Sequence, residues 1–190
     1  FNASIKEGAP DIIQIDGDMI LHRNFIKDHK MFALSGTFVR ASRVYIDEQT
    51  SKKVIDNRQF AINAFTKGIT NFFSAIRVPL MWPLFAESYK NTGDERYEIH
   101  GCNMAFWKKD AIEVNGYDER FNGWGPEDKE FIARLINIGL KKRFIKLGAI
   151  AFHLYHKESS KSFLAENEKS FKETIRMKKI KCEYGINQYL

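Results

Sequence analysis

A chain of 190 residues in which 44% of the side chains are hydrophobic is long enough to bury a core, which favours a packed globular protein over a disordered one. The formal net charge of +6 favours an anionic partner, such as a nucleotide diphosphate or a phospholipid surface. The basic residues form no nucleic-acid-binding motif, so we expect no nucleic-acid partner.

The cysteines and the hydropathy pattern restrict the cellular setting. Cys102 and Cys182 lack the spacing of a zinc cluster or a disulfide framework, which favours a reducing compartment. No apolar stretch approaches the roughly 20 residues that span a bilayer, and no signal peptide is visible. The sequence begins at Phe1 rather than Met, and we expect it to be a fragment of a longer polypeptide.

Local patterns in the first half predict a strand, a helix and a second strand. A short apolar run at 11–15 ends at an acidic turn, as a buried strand does, and the patterns at 24–29 and 31–41 predict a helix and a strand. We interpret 42–98 as an insertion of helix and mobile loop that contributes to an acceptor site or a lid. Phenylalanines at helical spacing predict its helix at 59–76, and an aromatic-rich packing element is the alternative.

The second half predicts alternating strands and helices. Pro126 suits the first turn of a helix whose apolar face runs to Ile138, and Gly139 is a natural terminator. A final helix is expected from a cap at Ser159 or Ser160 to about Lys181. The remaining predicted elements are a strand at 98–107, a helical turn at 109–114, a tight turn at 115–116, and strands at 143–145 and 149–152.

Asp16-Gly17-Asp18 follows the first strand directly. In open α/β sheets, ligands bind at the carboxyl ends of strands. Two carboxylates there can supply the oxygen ligands of a divalent cation that bridges phosphates, and Gly17 leaves room for a sugar or ribose. An acidic capping or solvated turn is the alternative interpretation.

His153 and His156 end the last predicted strand. Residues three apart on a continuing strand point to opposite faces, so both imidazoles can meet one metal only if the chain turns near Leu154 or Tyr155. Imidazole together with carboxylate suits Mn²⁺ better than Mg²⁺. One core histidine and one solvated histidine is the alternative.

Gly123-Trp124-Gly125-Pro126-Glu127-Asp128 is the most informative stretch of the sequence. The N-terminus of a helix favours the ionised form of carboxylates in its first turn, which keeps a base available at neutral pH. Ordinary helix capping is the alternative explanation of these two acids. An indole between two glycines has little local packing support, and it suits a stacking platform for a pyranose.

The order and spacing of these motifs resemble the GT-A glycosyltransferases of family 2. The closer resemblance is to the galactosyltransferase-type C-terminal module of β-1,4-galactosyltransferases and bacterial chondroitin-type polymerases. It implies an α/β fold of the GT-A type with a Rossmann-like mixed sheet. In this interpretation, 1–157 is a partial GT-A catalytic domain that lacks its N-terminal βαβ segment, and 158–190 is a basic helical tail. The sequence departs from the common pattern at Pro126, where a further glycine is usual. The motifs that carry the resemblance are Asp16-Gly17-Asp18, Gly101-Cys102-Asn103-Met104-Ala105, Asn115-Gly116-Tyr117-Asp118, the stretch 123–128, and His153-Leu154-Tyr155-His156.

The resemblance also implies a role for each motif. Asp128 would be the catalytic base, while Asp18, His156 and His153 would bind Mn²⁺ or Mg²⁺. The residues expected to bind donor or acceptor are Asp16, Gly101, Asn103, Trp124 and Glu127.

These roles predict an inverting, metal-dependent transferase that moves a hexose or N-acetylhexosamine from a UDP-sugar to a saccharide or lipid-linked saccharide acceptor. By the habits of the family, we expect bacterial surface polysaccharide or lipopolysaccharide synthesis. The expected location is the cytoplasm, with peripheral contact of the basic tail at the inner face of the membrane. A catalytically silent sugar-binding or nucleotide-sugar-binding module is the alternative, and a metal-dependent hydrolase is a third interpretation.

Overall fold

The computed structural model describes residues 2–157 and 160–189, and seven strands lie within them. They form a four-stranded sheet in the order β1-β5-β3-β6 and a three-stranded sheet in the order β2-β7-β4. The strands are β1 (Asp11–Ile15), β2 (Met19–Leu21), β3 (Thr37–Ala41), β4 (Arg43–Tyr45), β5 (Asn103–Trp107), β6 (Lys141–Ile145) and β7 (Ala151–His153).

Helices cover the sheets and fill the connections. The α-helices of the described residues are α1 (Asn2–Glu7), α2 (Phe25–Phe32), α3 (Glu48–Asp56), α4 (Trp82–Phe85), α5 (Lys108–Glu113), α6 (Glu127–Asn137) and α7 (Leu164–Arg176). Short 3₁₀ helices occupy Phe72–Ala75, Pro79–Met81, Gly93–Tyr97 and Ile186–Gln188. Within the same residues, no helix is both long and apolar enough to cross a bilayer.

Both sheets are mixed, and strands of the larger sheet continue directly into the smaller one. β3 runs parallel to β6 and antiparallel to β5, while β7 is parallel to β4 and antiparallel to β2. Residues 16–18 lead from β1 into β2, Ser42 leads from β3 into β4, and residues 146–150 lead from β6 into β7. The predicted α/β class with a mixed sheet is confirmed, and it is consistent with a nucleotide-sugar transferase fold.

The side chain of Asn103 holds these sheet crossings together. It is fully buried at the start of β5, opposite Ile15, the last residue of β1. Its Nδ2 donates to the carbonyl of Ser42 at 2.7 Å and to that of Ala149 at 2.8 Å, and its Oδ1 accepts from His29 Nε2 at 2.9 Å. Because one amide serves groups from both sheets and from α2, it fixes where the sheets meet.

Helix α6 supplies much of the main core. Phe131, Ile132 and Leu135 are fully buried, and Phe131 stacks on the ring of Tyr117 with centroids 4.6 Å apart. Gly139 follows the helix with a φ of 96°, which glycine adopts without steric penalty, so its predicted role as terminator is confirmed.

The predicted helix at 59–76 is wrong. Residues 59–76 contain no α-helix and only the short 3₁₀ helix Phe72–Ala75. The preceding helix α3 ends at Asp56, and it begins at Glu48 because the Asp47 carboxylate accepts from the Thr50 backbone N–H at 2.7 Å. The phenylalanine spacing misled because those rings do not form a buried face: Phe65 is 88% exposed and Phe73 is 77% exposed. Instead, the side chain of Asn71 fastens the segment to β4.

Three further boundaries differ from the predictions. The first residues of the predicted strand 31–41 belong to α2, and the strand predicted at 98–107 begins only at Asn103. Ser159 lies outside the described residues, while Ser160 is not a cap, because α7 begins at Leu164 and ends at Arg176.

Replacing Asn103 with alanine should lower the free energy of unfolding by about 3 kcal/mol, because the backbone carbonyls of Ser42 and Ala149 would lose their donor. Urea unfolding of wild type and variant measures this. Asn57→Ala, at an exposed position, is the matched control and should change stability by less than about 0.5 kcal/mol. Equal effects of the two substitutions would contradict the linking role of Asn103.

Candidate active site

A cleft of about 830 Å³ opens where the two sheets meet. Most of the residues singled out in the sequence line it, although they come from widely separated segments. The predicted site residues on its wall are Asp16, Asp18, Gly101, Trp124, Glu127, Asp128, His153 and His156.

Asp18, His153 and His156 converge on one point of this cleft. Asp18 Oδ2 lies 3.4 Å from His153 Nε2 and 3.0 Å from His156 Nε2. The potential ligand atoms of all three residues lie within 4.8 Å of one another. The turn that the spacing of the histidines requires is present, since β7 ends at His153 and the backbone N–H of Leu154 donates to the Asp18 carbonyl.

The donor set of this cluster fits a divalent metal ion. Asp18 Oδ1 is buried and has no hydrogen-bond partner among the described residues, so the carboxylate has unused acceptor capacity. Burial lowers the pKa of His153, which favours the neutral imidazole that a metal requires. One carboxylate and two imidazoles are ligands that Mn²⁺ accepts.

Asp128 is held in a fixed orientation at the start of α6. Its Oδ1 lies 2.9 Å from the Tyr117 hydroxyl and accepts from Gln14 Nε2 at 3.3 Å. Burial raises the pKa of Asp128, while hydrogen bonds from Tyr117, Gln14 and the Gly101 backbone N–H oppose that rise. The carboxylate is therefore a stronger base than an exposed aspartate, and its position is set by three donors.

Gly101 is required by this arrangement. A Cβ at residue 101 would overlap the Asp128 carboxylate, so a side chain there would displace the group. Gly101 thus contributes to the cleft through its backbone and its lack of a side chain.

Glu127 is a second carboxyl group of the cleft with a raised pKa. Burial raises its pKa to about 7, and the charges of Asp128 and Asp16 act in the same direction. Its Oε2 is buried and has no hydrogen-bond partner within the described part of the chain. Such a group can bind a sugar hydroxyl either as donor or as acceptor near neutral pH.

The Trp124 loop is fastened to α7. Asn167 Nδ2 donates to the carbonyls of Asn122 at 2.9 Å and Trp124 at 3.3 Å. A Cβ at Gly125 would overlap the Asn167 side chain, which explains the need for glycine at that position. The indole remains 46% exposed at the cleft, and Lys161 Nζ lies 5.1 Å from its ring centroid.

Two further predicted residues occupy different environments. Burial raises the pKa of Asp16, and so do the neighbouring charges of Asp18 and Asp128, so Asp16 belongs to the acidic group of the cleft. Asn103, by contrast, is absent from the cleft wall: the structure places it in the buried sheet junction, where protein groups occupy its amide. The predicted role of Asn103 in binding the sugar donor or acceptor does not agree with this placement.

Sequence reasoning missed several residues of the cleft wall. Gln14 is a polar residue within an apolar strand, and Tyr117 belongs to a motif already noted, so both gave a weak signal. Arg43 and His100 gave none: Arg43 lies in the segment that was interpreted as an insertion, and His100 lies in the strand predicted at 98–107.

Glu127→Gln should change the pH dependence of stability. The pKa of Glu127 is about 7 in the folded chain and ordinarily 4.5, so between these values the folded state retains a proton that the unfolded state has lost. The contribution of Glu127 to stability therefore falls as pH rises through this window. Urea unfolding at pH 5 and pH 8 should show that the variant gains stability relative to wild type at the higher pH.

The exposed Glu48 provides the control for this experiment. Glu48→Gln should differ from wild type by the same amount at both pH values. A parallel pH dependence in wild type and Glu127→Gln would contradict the raised pKa.

Comparison with known proteins identifies the part of the chain that forms most of this cleft. Residues 83–157 match a family described as the N-terminal domain of galactosyltransferase. Chondroitin synthase of Pasteurella multocida (strain Pm70) is 32% identical over 123 residues, which cover 58% of this chain and 12% of that protein. The chain thus spans only a small part of the length of this relative. Together these matches support a glycosyltransferase of the galactosyltransferase and chondroitin-synthase type.

Proposed function

We propose that this chain catalyses the metal-dependent, inverting transfer of a hexose or N-acetylhexosamine from a UDP-sugar to a saccharide acceptor. The observation that carries the proposal is the convergence of Asp18, His153 and His156 in the same cleft as Asp128 and Trp124. A candidate metal site suits the leaving diphosphate, a positioned carboxylate suits the acceptor hydroxyl, and an exposed indole suits a sugar face.

The donor half of the site is assigned to the acidic turn and the histidine pair. Asp18, His153 and His156 would hold Mn²⁺, or Mg²⁺ with less favourable ligands. A bound divalent ion neutralises the charge of a nucleotide diphosphate as it leaves. Asp16 is assigned to the ribose or to the metal, and the backbone at Gly101 to the wall of the donor pocket.

The acceptor half is assigned to the start of α6. Asp128 takes the proton of the acceptor hydroxyl while that oxygen forms a bond to the anomeric carbon. The bond from that carbon to the diphosphate breaks, and UDP leaves with the electron pair. Attack on the side opposite the leaving group inverts the anomeric configuration. Glu127 would bind sugar hydroxyls, and Trp124 would pack on a pyranose face.

The biological setting is proposed from the resemblance. On the resemblance to galactosyltransferases and chondroitin-type polymerases, we propose UDP-galactose or UDP-N-acetylgalactosamine as donors and bacterial surface polysaccharide or lipopolysaccharide as the product. For a lipid-linked acceptor, we propose that the cluster Arg176, Lys178, Lys179 and Lys181 contacts the inner face of the membrane.

Thermal unfolding with Mn²⁺ and UDP tests the donor site. Ligands present at 100 times their dissociation constants should stabilise the wild type by about 2.7 kcal/mol, because only the folded state binds them. Asp18→Ala should lose this shift, whereas Asp56→Ala, at an exposed position, should retain it. Equal shifts in wild type and Asp18→Ala would overturn the assigned metal site.

Asp128→Asn tests the chemistry. Turnover of UDP-galactose or UDP-N-acetylgalactosamine with a panel of saccharide acceptors should fall about 10²-fold to 10⁴-fold, since the variant has no general base. The stabilisation by Mn²⁺ and UDP should persist, and Asp56→Asn should keep wild-type turnover.

Two other outcomes would replace the proposal. A wild type that binds UDP but transfers no sugar would be a binding module. A wild type that releases free sugar from the donor at saturating acceptor would be a hydrolase.

A further inference from the structure

We infer that Arg43 binds the diphosphate of the donor and stabilises the charge that develops on it when the glycosidic bond breaks. This inference rests on the proposed function and adds a residue to the site. Arg43 begins β4, faces the same cleft as the metal cluster, and carries a charge that the acidic motifs do not neutralise by direct contact.

The position of Arg43 is fixed by the smaller sheet. β4 pairs with β7 in a register that places Arg43 opposite Ala151 and Tyr45 opposite His153. The Arg43 carbonyl accepts from Asn71 Nδ2 at 2.9 Å, which anchors the strand from its other side. Arg43 therefore lies two residues before Tyr45, which pairs with His153 of the metal cluster.

The charge of Arg43 acts on that cluster and on the acidic turn. Burial lowers the pKa of His153, and the Arg43 guanidinium lowers it further. Burial raises the pKa of Asp16, and Arg43 is among the charges that oppose the rise. A cation that faces the same cleft as the candidate metal ligands is suited to binding the diphosphate of the donor.

The direct partners of the guanidinium are neutral. Its Nε donates to the Tyr45 hydroxyl at 2.8 Å, and its Nη1 lies 3.8 Å from Cys102 Sγ. Burial raises the pKa of Cys102 to about 11, so the sulfur is a thiol at neutral pH. Arg43 also lies over the Tyr45 ring, 4.9 Å from its centroid.

Four other arginines have carboxylate partners, and Arg43 differs from these four. Within the described residues, no carboxylate oxygen lies within the 4.0 Å ion-pair distance of Arg43. The paired examples are Arg40 with Glu98, Arg77 with Asp28, Arg120 with Asp118, and Arg134 with Glu130. A half-buried cation with only neutral contacts is prepared for an anion that arrives with the substrate.

Guanidinium geometry matches this task. The planar group presents paired N–H donors that bind phosphate oxygens bidentately, and such charged hydrogen bonds are about twice as strong as neutral ones. When the bond to the anomeric carbon breaks, the diphosphate gains negative charge. Arg43 therefore stabilises the transition state more than the bound donor, and its removal should lower kcat as well as donor affinity.

Calorimetric titration of the full chain separates this role from that of the metal cluster. The probes are Mn²⁺ alone, UDP in the presence of Mn²⁺, and inorganic pyrophosphate in the presence of Mn²⁺. Arg43→Gln should weaken the affinities for UDP and pyrophosphate about 10-fold to 100-fold, because one or two hydrogen bonds to a charged group are lost. The affinity for Mn²⁺ alone should be retained. Arg23→Gln, the same charge change at an exposed position, should leave all three affinities within about twofold of wild type.

Arg43→Lys keeps the charge and loses the bidentate fork, so it should bind UDP with an affinity between those of wild type and Arg43→Gln. It also provides a folded comparison if Arg43→Gln is unstable. The melting temperature of each variant without ligand reports on folding.

The outcomes distinguish this inference from the proposed function. If Arg43→Gln and Arg43→Lys bind UDP like wild type while Asp18→Ala does not, the inference is overturned and the proposed function stands. If Arg43→Gln loses Mn²⁺ together with UDP, Arg43 supports the metal cluster and the inference is again overturned. If the wild type binds neither UDP nor pyrophosphate, the proposed function fails first.

Discussion

The hydrogen bonds of one buried amide determine where the two sheets of this protein meet. Asn103 connects the segment between β3 and β4 with the segment that leads into β7, and it stands opposite the last residue of β1. The acidic turn and the histidine pair extend from these same crossings. Because the amide is shared between sheets, the relative position of Asp18 and the histidines depends on a residue that has no group left for a ligand.

The cleft at this junction concentrates groups that are unfavourable for stability. Asp16, Glu127 and Asp128 all have a raised pKa, principally through burial, and they repel one another. Buried carboxyl groups with unused oxygens, next to an arginine without a carboxylate partner, lower the free energy of unfolding of the unliganded chain. A metal ion and a diphosphate would relieve both imbalances at once. Such local conflicts are typical of sites that evolved for ligands rather than for folding.

Sequence patterns predicted the residues that line the cleft better than they predicted its supporting structure. Glu127 and Asp128 were placed correctly at a helix start, because Pro126 and the apolar periodicity of α6 are local signals. The helix at 59–76 was wrong because periodicity does not reveal whether apolar surface exists to receive a face. The burial of Asn103 and the position of Arg43 depend on pairing between strands that are distant in sequence, which no local pattern encodes.

The contact between Asn167 and the Trp124 loop changes how the catalytic unit should be delimited. The family match ends at residue 157, and the basic stretch beyond it resembles an appendage in sequence. However, Asn167 of α7 donates hydrogen bonds to the Trp124 loop, and the Thr174 hydroxyl of α7 donates to Glu130 of α6 at 2.9 Å. Any event that displaces α7, such as docking of a neighbouring domain, would thus loosen the platform proposed for the acceptor sugar. Helix α7 therefore connects the region beyond the family match mechanically to the cleft.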